Sequence, residues 1–509
     1  MRSISRTSDG PAPAKPSRFA RWRRPDLLRG DPWFLALACL AVVQYAVLAP
    51  RLLHSDLALT YPFRGGDTQQ WLLDGLRLAG EDVLYSFRPP GLPLVLAALH
   101  RVSALELFPL LQLGFHHAAA LGAHLFLRRR YGPRVGFVCG LLLLSNATVL
   151  LLALQVMADV PGAILLAAAC AVLLLAGERP SLYPVAGLLA GLSAVTQQAA
   201  LLLPLPAGLT LLVARRDHLR RPAPWIGAAV FALFPLAWFL SKKLAAGTVT
   251  DVGPRHWSFL GFFPEQTLHY LVDAPSFWGW PALVLAAAGA VLELRSWARG
   301  PRRGPDAAWR LLPVLTAATL FLFFALAYDW RAKRFLVYAF VPSLALVAAA
   351  LGRLRGSRAF WPVAGLALLI GAWPLPRPDL SSRAVLWPVP SLYSVVPGSG
   401  PGTTLEERFA RARIEGAPLD RVARWSTWER VWRTGRRAAS EPEIDRALFE
   451  GVESAVFLGD EDDRSHPPSR TRARLGNLVR RRVVYAPSDR FTLRWWGWRG
   501  LEPLGVMDR

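Results

Sequence analysis

Long apolar runs separated by short basic loops dominate this 509-residue sequence. A helix needs about 20 mostly apolar residues to cross a bilayer, and many of the runs approach that length. Hydrophobic residues make up 53% of the chain and charged residues only 19%, whereas soluble domains carry about 25% charged residues. These features exclude an ordinary soluble protein and predict an α-helical polytopic membrane protein.

The positive charge of the chain is concentrated in loops. The sequence has 59 Lys and Arg against 36 Asp and Glu, a formal net charge of +23. Basic residues cluster between apolar runs, as the positive-inside rule describes, and do not suggest a groove for phosphodiesters, so no nucleic-acid partner is expected. The cysteines Cys39, Cys139 and Cys170 lie within apolar runs, a placement that favours neither a disulfide framework nor a zinc site.

The apolar runs predict about eleven transmembrane helices within residues 31–376, with an odd number of crossings in residues 91–127. Alternation then places the basic loops near residues 128–134, 215–221, 295–303 and 353–358 in the cytoplasm. The predicted spans are 32–50, 135–154, 158–176, 183–195, 199–213, 224–241, 279–294, 311–328, 334–351 and 359–375.

Both ends of the chain are polar. Residues 1–30 are rich in Ser, Pro and Arg and predict a disordered cytoplasmic tail. Residues 377–509 predict a small extracytoplasmic α/β domain, with a helix at 405–413 and strands at 455–458, 483–485 and 491–495. We therefore expect a multi-pass protein of the inner (plasma) membrane with its N-terminus in the cytoplasm.

The first outer loop, residues 51–90, contains the most informative polar segment. Asp67 follows two glycines and precedes an amphipathic stretch that includes Trp71 and is predicted to lie in the membrane interface. Because Gln70 stands three residues after Asp67, the carboxylate can also be read as part of a capping box. Arg88 precedes two prolines at the entry to the next span, where the prolines can simply start a helix.

Other polar residues are predicted on the same outer face. Asp159 lies between two spans, and its alternative role is also that of a helix cap, since Pro161 follows it. Arg334 opens a late span, where a cation is not favoured by the helix dipole. Two carboxylates placed independently on one face indicate a functional site.

In order and spacing, these segments resemble the GT-C superfamily of integral-membrane glycosyltransferases, in particular the branch of protein O-mannosyltransferases and lipid A aminoarabinose transferases. The matching features are an acidic residue opening an interfacial helix, a proline-rich entry to the next span, a carboxylate followed by proline, a Gly-Leu-x-x-x-Thr turn, and an Arg before a proline-containing late span. In this sequence they are Asp67, Pro89–Pro93, Asp159 with Pro161, Gly191–Thr196, and Arg334 with Pro342.

The resemblance implies an inverting transfer of a sugar from a polyprenyl-phosphate-linked donor to an acceptor on the outer face. Asp67 and Asp159 would be the catalytic carboxylates, with Asp67 as the general base. Arg334 and Arg88 would neutralise the phosphate leaving group. The remaining substrate-binding candidates are Gln197, Trp71 and His256.

The sequence departs from the family at two positions. Thr68 stands where relatives often carry Glu, and Gln197 follows Thr196 where relatives often carry Lys. No cofactor is assigned, and a divalent metal is left open. The expected partners are the lipid-linked donor, an envelope glycan, lipid or protein acceptor, and the membrane. Two alternatives stay open, namely a transporter or flippase of lipid-linked sugars and a non-catalytic envelope-assembly protein.

Overall fold

The computed structural model of the chain describes residues 30–53, 71, 74–75, 78–80, 88–154, 156–246, 262, 264–328, 333–372, 454–457, 482–485 and 506–507. The α-helices within these residues are α1 (Pro32–Leu53), α2 (Gly91–Arg101), α3 (Phe108–Tyr131), α4 (Pro133–Ser145), α5 (Ala147–Ala153), α6 (Asp159–Ala176), α7 (Tyr183–Thr196), α8 (Pro204–Ala214), α9 (Pro222–Ala246), α10 (Pro264–Trp278), α11 (Trp280–Arg299), α12 (Pro305–Leu322), α13 (Val337–Leu354) and α14 (Phe360–Ala372).

Short 3₁₀ and π segments connect or extend several helices. The π turn Phe323–Ala327 continues α12. The 3₁₀ segments are Leu105–Leu107, Pro180–Leu182, Gln198–Leu202, Arg216–Arg220 and Lys333–Leu336.

Seven helical segments of the described residues are long and apolar enough to cross a membrane, which agrees with a multi-pass membrane protein. They are Pro32–Ala49, Phe108–Tyr131, Asp159–Ala176, Pro222–Ser241, Trp280–Arg299, Pro305–Ala327 and Arg334–Leu354. Five further apolar helices are shorter. The predicted total of about eleven crossings stays a prediction, because it requires several of the shorter helices to cross as well.

One predicted span differs from the structure. The predicted span 135–154 is interrupted at Asn146, which has an extended backbone and separates α4 from α5. The Asn146 side chain stabilises this break, because its Oδ1 accepts the backbone N–H of Val149 and its Nδ2 donates to the carbonyl of Phe277. Residues 91–127 contain α2 and most of α3. Since α2 has 11 residues and spans only about 16 Å, α3 is the one of these two helices that is long and apolar enough to cross a membrane.

The helix α13 forms the centre of the bundle. Within its candidate span, 89% of the residues are buried inside the protein. It packs closely against α11, since a Cβ added at Gly289 would collide with the carbonyl oxygen of Leu346. Small residues allow such close contacts between membrane helices. By contrast, α9 exposes Leu233, Leu236 and Leu240, as expected of a surface that faces lipid.

The bundle has two polar ends, which we name after residues. At the Arg128 end, Arg128 pairs with Asp31, Arg130 pairs with Asp306, and Arg215 donates to the carbonyl of Gly177. Contacts between the predicted basic loops also lie at this end. Arg353 Nη2 donates to Ser296 Oγ at 3.3 Å, and a Cβ at Gly132 would lie 2.6 Å from Arg355 Nη1. The basic loops predicted to share one side of the membrane therefore lie together. The Asp159 end lies at the N-terminus of α6, whereas Gly177, just after the C-terminus of α6, lies at the Arg128 end. With 18 residues, α6 is about 27 Å long.

The described residues of the C-terminal part of the chain form three short strands. They are β1 (Ser454–Phe457), β2 (Arg482–Tyr485) and β3 (Val506–Met507), where β2 pairs parallel with β1 and antiparallel with β3. Strands β1 and β2 coincide with two predicted strands. The predicted helix 405–413 and strand 491–495 lie outside the described residues, and the assignment of 377–509 as a domain stays a prediction.

Candidate functional site

Asp159 is the centre of a polar cluster at its end of the bundle. It is the first residue of α6, and only 2% of its side chain is exposed. The N-cap residue of α6 is Ala158, so Asp159 does not occupy the capping position that the alternative interpretation assigned to it. Burial of a carboxylate is costly unless donors surround it, and such donors come from two other parts of the chain.

Gln197 and Tyr338 donate hydrogen bonds to the same oxygen of Asp159. Gln197 Nε2 lies 3.5 Å and Tyr338 Oη 3.3 Å from Asp159 Oδ1. Gln197 ends α7 in an extended conformation, and its own Oε1 accepts the backbone N–H of Gln198 at 2.9 Å. The amide is thus oriented by its neighbour, with its NH₂ group directed at the carboxylate.

Arg334 supplies the positive charge of the cluster. Its Nε lies 3.8 Å from Asp159 Oδ2, and 19% of its side chain is exposed. Its guanidinium also lies over the ring of Phe335, 5.2 Å from the centroid. A cation that is paired on one side and partly open on the other is suited to binding an anion.

Gly162 makes this arrangement possible. It lies on α6 just after Asp159, and a Cβ at this position would be 2.8 Å from Cβ of Gln197 and 3.4 Å from Tyr338 Oη. Glycine at position 162 therefore lets α7 and α13 approach α6 closely enough for their polar groups to reach Asp159.

Arg88 and Trp71 lie close to this cluster. Trp71 is buried with Val156, Met157 and Ala158, the residues that lead into Asp159. The Arg88 guanidinium lies 5.3 Å from the centroid of the Trp71 ring, a cation–π distance. A few residues further along, Gly91 contacts Thr196, since a Cβ at Gly91 would be 2.7 Å from Thr196 Oγ1.

The structure thus brings together five of the seven candidate residues: Asp159, Gln197, Arg334, Arg88 and Trp71. Asp67 and His256 lie outside the described residues. Their roles stay predictions.

Sequence reasoning missed two residues of this region. Tyr338 stands four residues after Arg334, about one helical turn further along the chain, so this spacing was a usable signal. Asp74 is completely buried and accepts the backbone N–H of Arg88 at 2.7 Å through Oδ2. Its position three residues after Trp71 was the corresponding signal.

The described part of the cluster fits an anionic ligand better than a metal ion. The neighbours of Asp159 named above are hydrogen-bond donors and a guanidinium, which would repel a cation. No group of three or more His, Cys, Asp and Glu residues that could hold a metal occurs among the described residues.

Comparisons with known proteins agree with the predicted resemblance to the GT-C superfamily. Residues 88–241 match the sequence profile of a family described as dolichyl-phosphate-mannose-protein mannosyltransferase. This match includes Arg88, Asp159 and Gln197. No curated protein shows a significant match to the chain.

Among solved structures, ArnT from Cupriavidus metallidurans bound to undecaprenyl phosphate is similar, with a TM-score of 0.51 and 19% identity. The match covers 67% of this chain and 64% of ArnT, so this chain spans less than two thirds of that protein. An oligosaccharyltransferase from Archaeoglobus fulgidus, tethered with an acceptor peptide, matches with a TM-score of 0.44, 14% identity, and 69% and 56% coverage of the two chains. The ArnT match shows a shared fold, and with the family profile it confirms the predicted resemblance.

Proposed function

We propose that this chain, which resembles the GT-C superfamily in sequence and in fold, is an inverting glycosyltransferase of the cell envelope. It would transfer a sugar from a polyprenyl-phosphate-linked donor to an acceptor on the outer face of the membrane. The observation that carries the proposal is the convergence of Asp159, Gln197 and Arg334 at one end of the bundle. The ArnT structure contains undecaprenyl phosphate, which supports this class of donor.

In the reaction, the bond between the anomeric carbon and the donor phosphate oxygen breaks, and a bond from that carbon to the acceptor oxygen forms. The acceptor proton passes to a base, and polyprenyl phosphate leaves with the electron pair. Attack from the face opposite the leaving group inverts the anomeric centre. The protein must therefore supply a base on one side of the sugar and positive charge on the other.

Arg334 and Arg88 supply the positive charge in this proposal. Negative charge grows on the phosphate oxygens in the transition state, and cations already in place stabilise it without reorganisation. Arg334 is held by Asp159 at 3.8 Å, and Arg88 by the Trp71 ring. Gln197 adds an N–H donor without charge.

Asp67 is the proposed general base. It stands four residues before Trp71, whose ring packs against the residues that precede Asp159. A positioned carboxylate accelerates such proton transfer by about 10²- to 10⁴-fold. Asp159 would position the acceptor and Arg334, and His256 would contact substrate.

In this proposal, the Asp159 end lies at the outer, extracytoplasmic face of the inner membrane. The opposite end contains the basic loops with Arg128, Arg215 and Arg355, and basic loops remain in the cytoplasm. The acceptor would then be an envelope glycan, lipid or protein. The C-terminal residues 377–509 would lie on the acceptor side.

The test compares wild type, Asp67→Asn and a null strain for sugar-loaded polyprenyl phosphate and for sugar on outer-face acceptors. Asparagine caps a helix about as well as aspartate but is no base at neutral pH. For Asp67→Asn we expect normal expression of the protein, accumulation of the sugar-loaded carrier and an acceptor without sugar. Asp82→Asn, in the same loop, is the matched control and should behave like wild type.

Wild-type behaviour of Asp67→Asn would identify Asp67 as a cap and contradict the proposal. A carrier that accumulates on the cytoplasmic leaflet in the null strain would instead support a flippase. Unchanged acceptor and carrier in the null strain would support a non-catalytic envelope protein.

A further inference from the structure

Asp74 is a buried carboxylate next to the proposed donor site. Its side chain has no exposed surface, and a carboxylate in such a place is costly unless donors satisfy it. One of its donors is the backbone N–H of Arg88, 2.7 Å from Oδ2 and 14 residues away along the chain.

The residues around Asp74 are docked firmly on α2. A Cβ at Gly75 would lie 2.6 Å from Cβ of Leu96, so the two backbones approach as closely as glycine allows. Further along, Arg101 Nη2 donates to the carbonyl of Leu78 at 3.1 Å. The backbone around Asp74 is therefore held in place against α2.

The turn from Arg88 to Gly91 is held at both of its ends. Asp74 binds the backbone at Arg88, and Gly91 packs against Thr196, the residue before Gln197. Between these two anchors, Pro89 and Pro90 restrict the backbone. The Arg88 side chain leaves this turn across the Trp71 ring.

We infer that Asp74 is a positioning residue that sets the direction of the Arg88 guanidinium towards the donor phosphate. It acts through the backbone N–H of Arg88 and does not contact the lipid itself. The inference rests on the proposed function, because it takes Arg88 as a phosphate-binding residue.

The experiment measures binding of undecaprenyl phosphate to the full-length protein in lipid nanodiscs, in a double-mutant cycle of Asp74→Ala and Arg88→Ala. Each single variant should weaken binding about tenfold, the loss of one hydrogen bond to a charged group. The double variant should bind no more weakly than Arg88→Ala, because Asp74 acts only through Arg88. Asp74→Asn keeps an acceptor oxygen and should bind within about threefold of wild type.

Asp31→Ala is the control for a general loss of stability. It removes a partly buried carboxylate at the Arg128 end and should lower the melting temperature without changing the affinity for undecaprenyl phosphate. If Asp74→Ala and Asp31→Ala have the same effect on the affinity for undecaprenyl phosphate, the positioning role of Asp74 is wrong.

Two results separate this inference from the proposed function. If Arg88→Ala weakens binding while Asp74→Ala does not, or if their effects add, the inference alone fails. If Arg88→Ala binds like wild type, Arg88 is not a phosphate-binding residue, and the proposed donor site fails together with the inference.

Discussion

The two polar ends of the bundle hold their charges in different ways. At the Arg128 end, Asp31 caps α1 through the N–H groups of Trp33 and Phe34 and is paired with Arg128. Burial opposes ionisation of Asp31, but hydrogen bonds from Arg128 and His124 outweigh it, so the pKa of this carboxyl lies below its usual value. This end is built to hold the helices together.

At the Asp159 end, the side-chain contacts of Asp159 named above are longer than those of Asp31. The distances from Asp159 to Tyr338, Gln197 and Arg334 are 3.3, 3.5 and 3.8 Å. Polar contacts in catalytic sites are often long without substrate and tighten when it binds. The difference suggests that stability depends mainly on the Arg128 end, whereas the Asp159 end serves ligand binding and catalysis.

The strongest way to break this comparison is to remove one carboxylate from each end. Asp159→Asn should lower transfer about 10²-fold, the size of loss that misplaced reacting groups cause, with little change in melting temperature. Asp31→Ala should cost about 3 kcal/mol of stability, from the lost cap and the unpaired Arg128, while folded protein keeps its transfer rate. Thermal unfolding and sugar transfer to outer-face acceptors measure the two effects. Equal losses of stability in both variants would contradict the division.

A smaller effect is expected from Gly162→Ala. The new Cβ would displace Gln197 from Asp159, because it would lie 2.8 Å from the Gln197 Cβ. We expect a loss of transfer of about tenfold, comparable to one hydrogen bond to a charged group. The matched control is Gly208→Ala on α8, where a Cβ meets nothing within 4 Å. If both variants retain full transfer, the Gln197–Asp159 contact is not needed.

The smallest effect concerns the pH dependence of stability at the Arg128 end. The pKa of His218 is lowered mainly by burial and also by the charge of Arg215. The native state therefore prefers neutral His218, and stability should fall as the pH drops below about 6.5, the ordinary pKa of histidine. Wild type should lose more melting temperature than His218→Asn when the pH is lowered from 7.5 to 5.5. The two losses should differ by roughly 2 °C. Parallel pH profiles would show that His218 does not contribute.

Much of the architecture was predictable from the residues. The apolar runs predicted the helices, and the positive-inside rule grouped the loops that the structure places together at the Arg128 end. The interruption at Asn146 was missed, because one of the two hydrogen bonds that stabilise it is made to the carbonyl of Phe277, 131 residues away. A sequence window cannot register such a partner.

The candidate site divides in the same way. The sequence by itself predicted that Asp159 and Arg334 lie on one face of the membrane, because alternation of the predicted spans places both there. Only the tertiary structure decided that Tyr338 shares an oxygen of Asp159 and that Asp74 holds the turn at Arg88. The physical reason is that hydropathy sets the depth of a residue in the membrane, whereas close packing at Gly162, Gly75 and Gly91 sets which side chains meet.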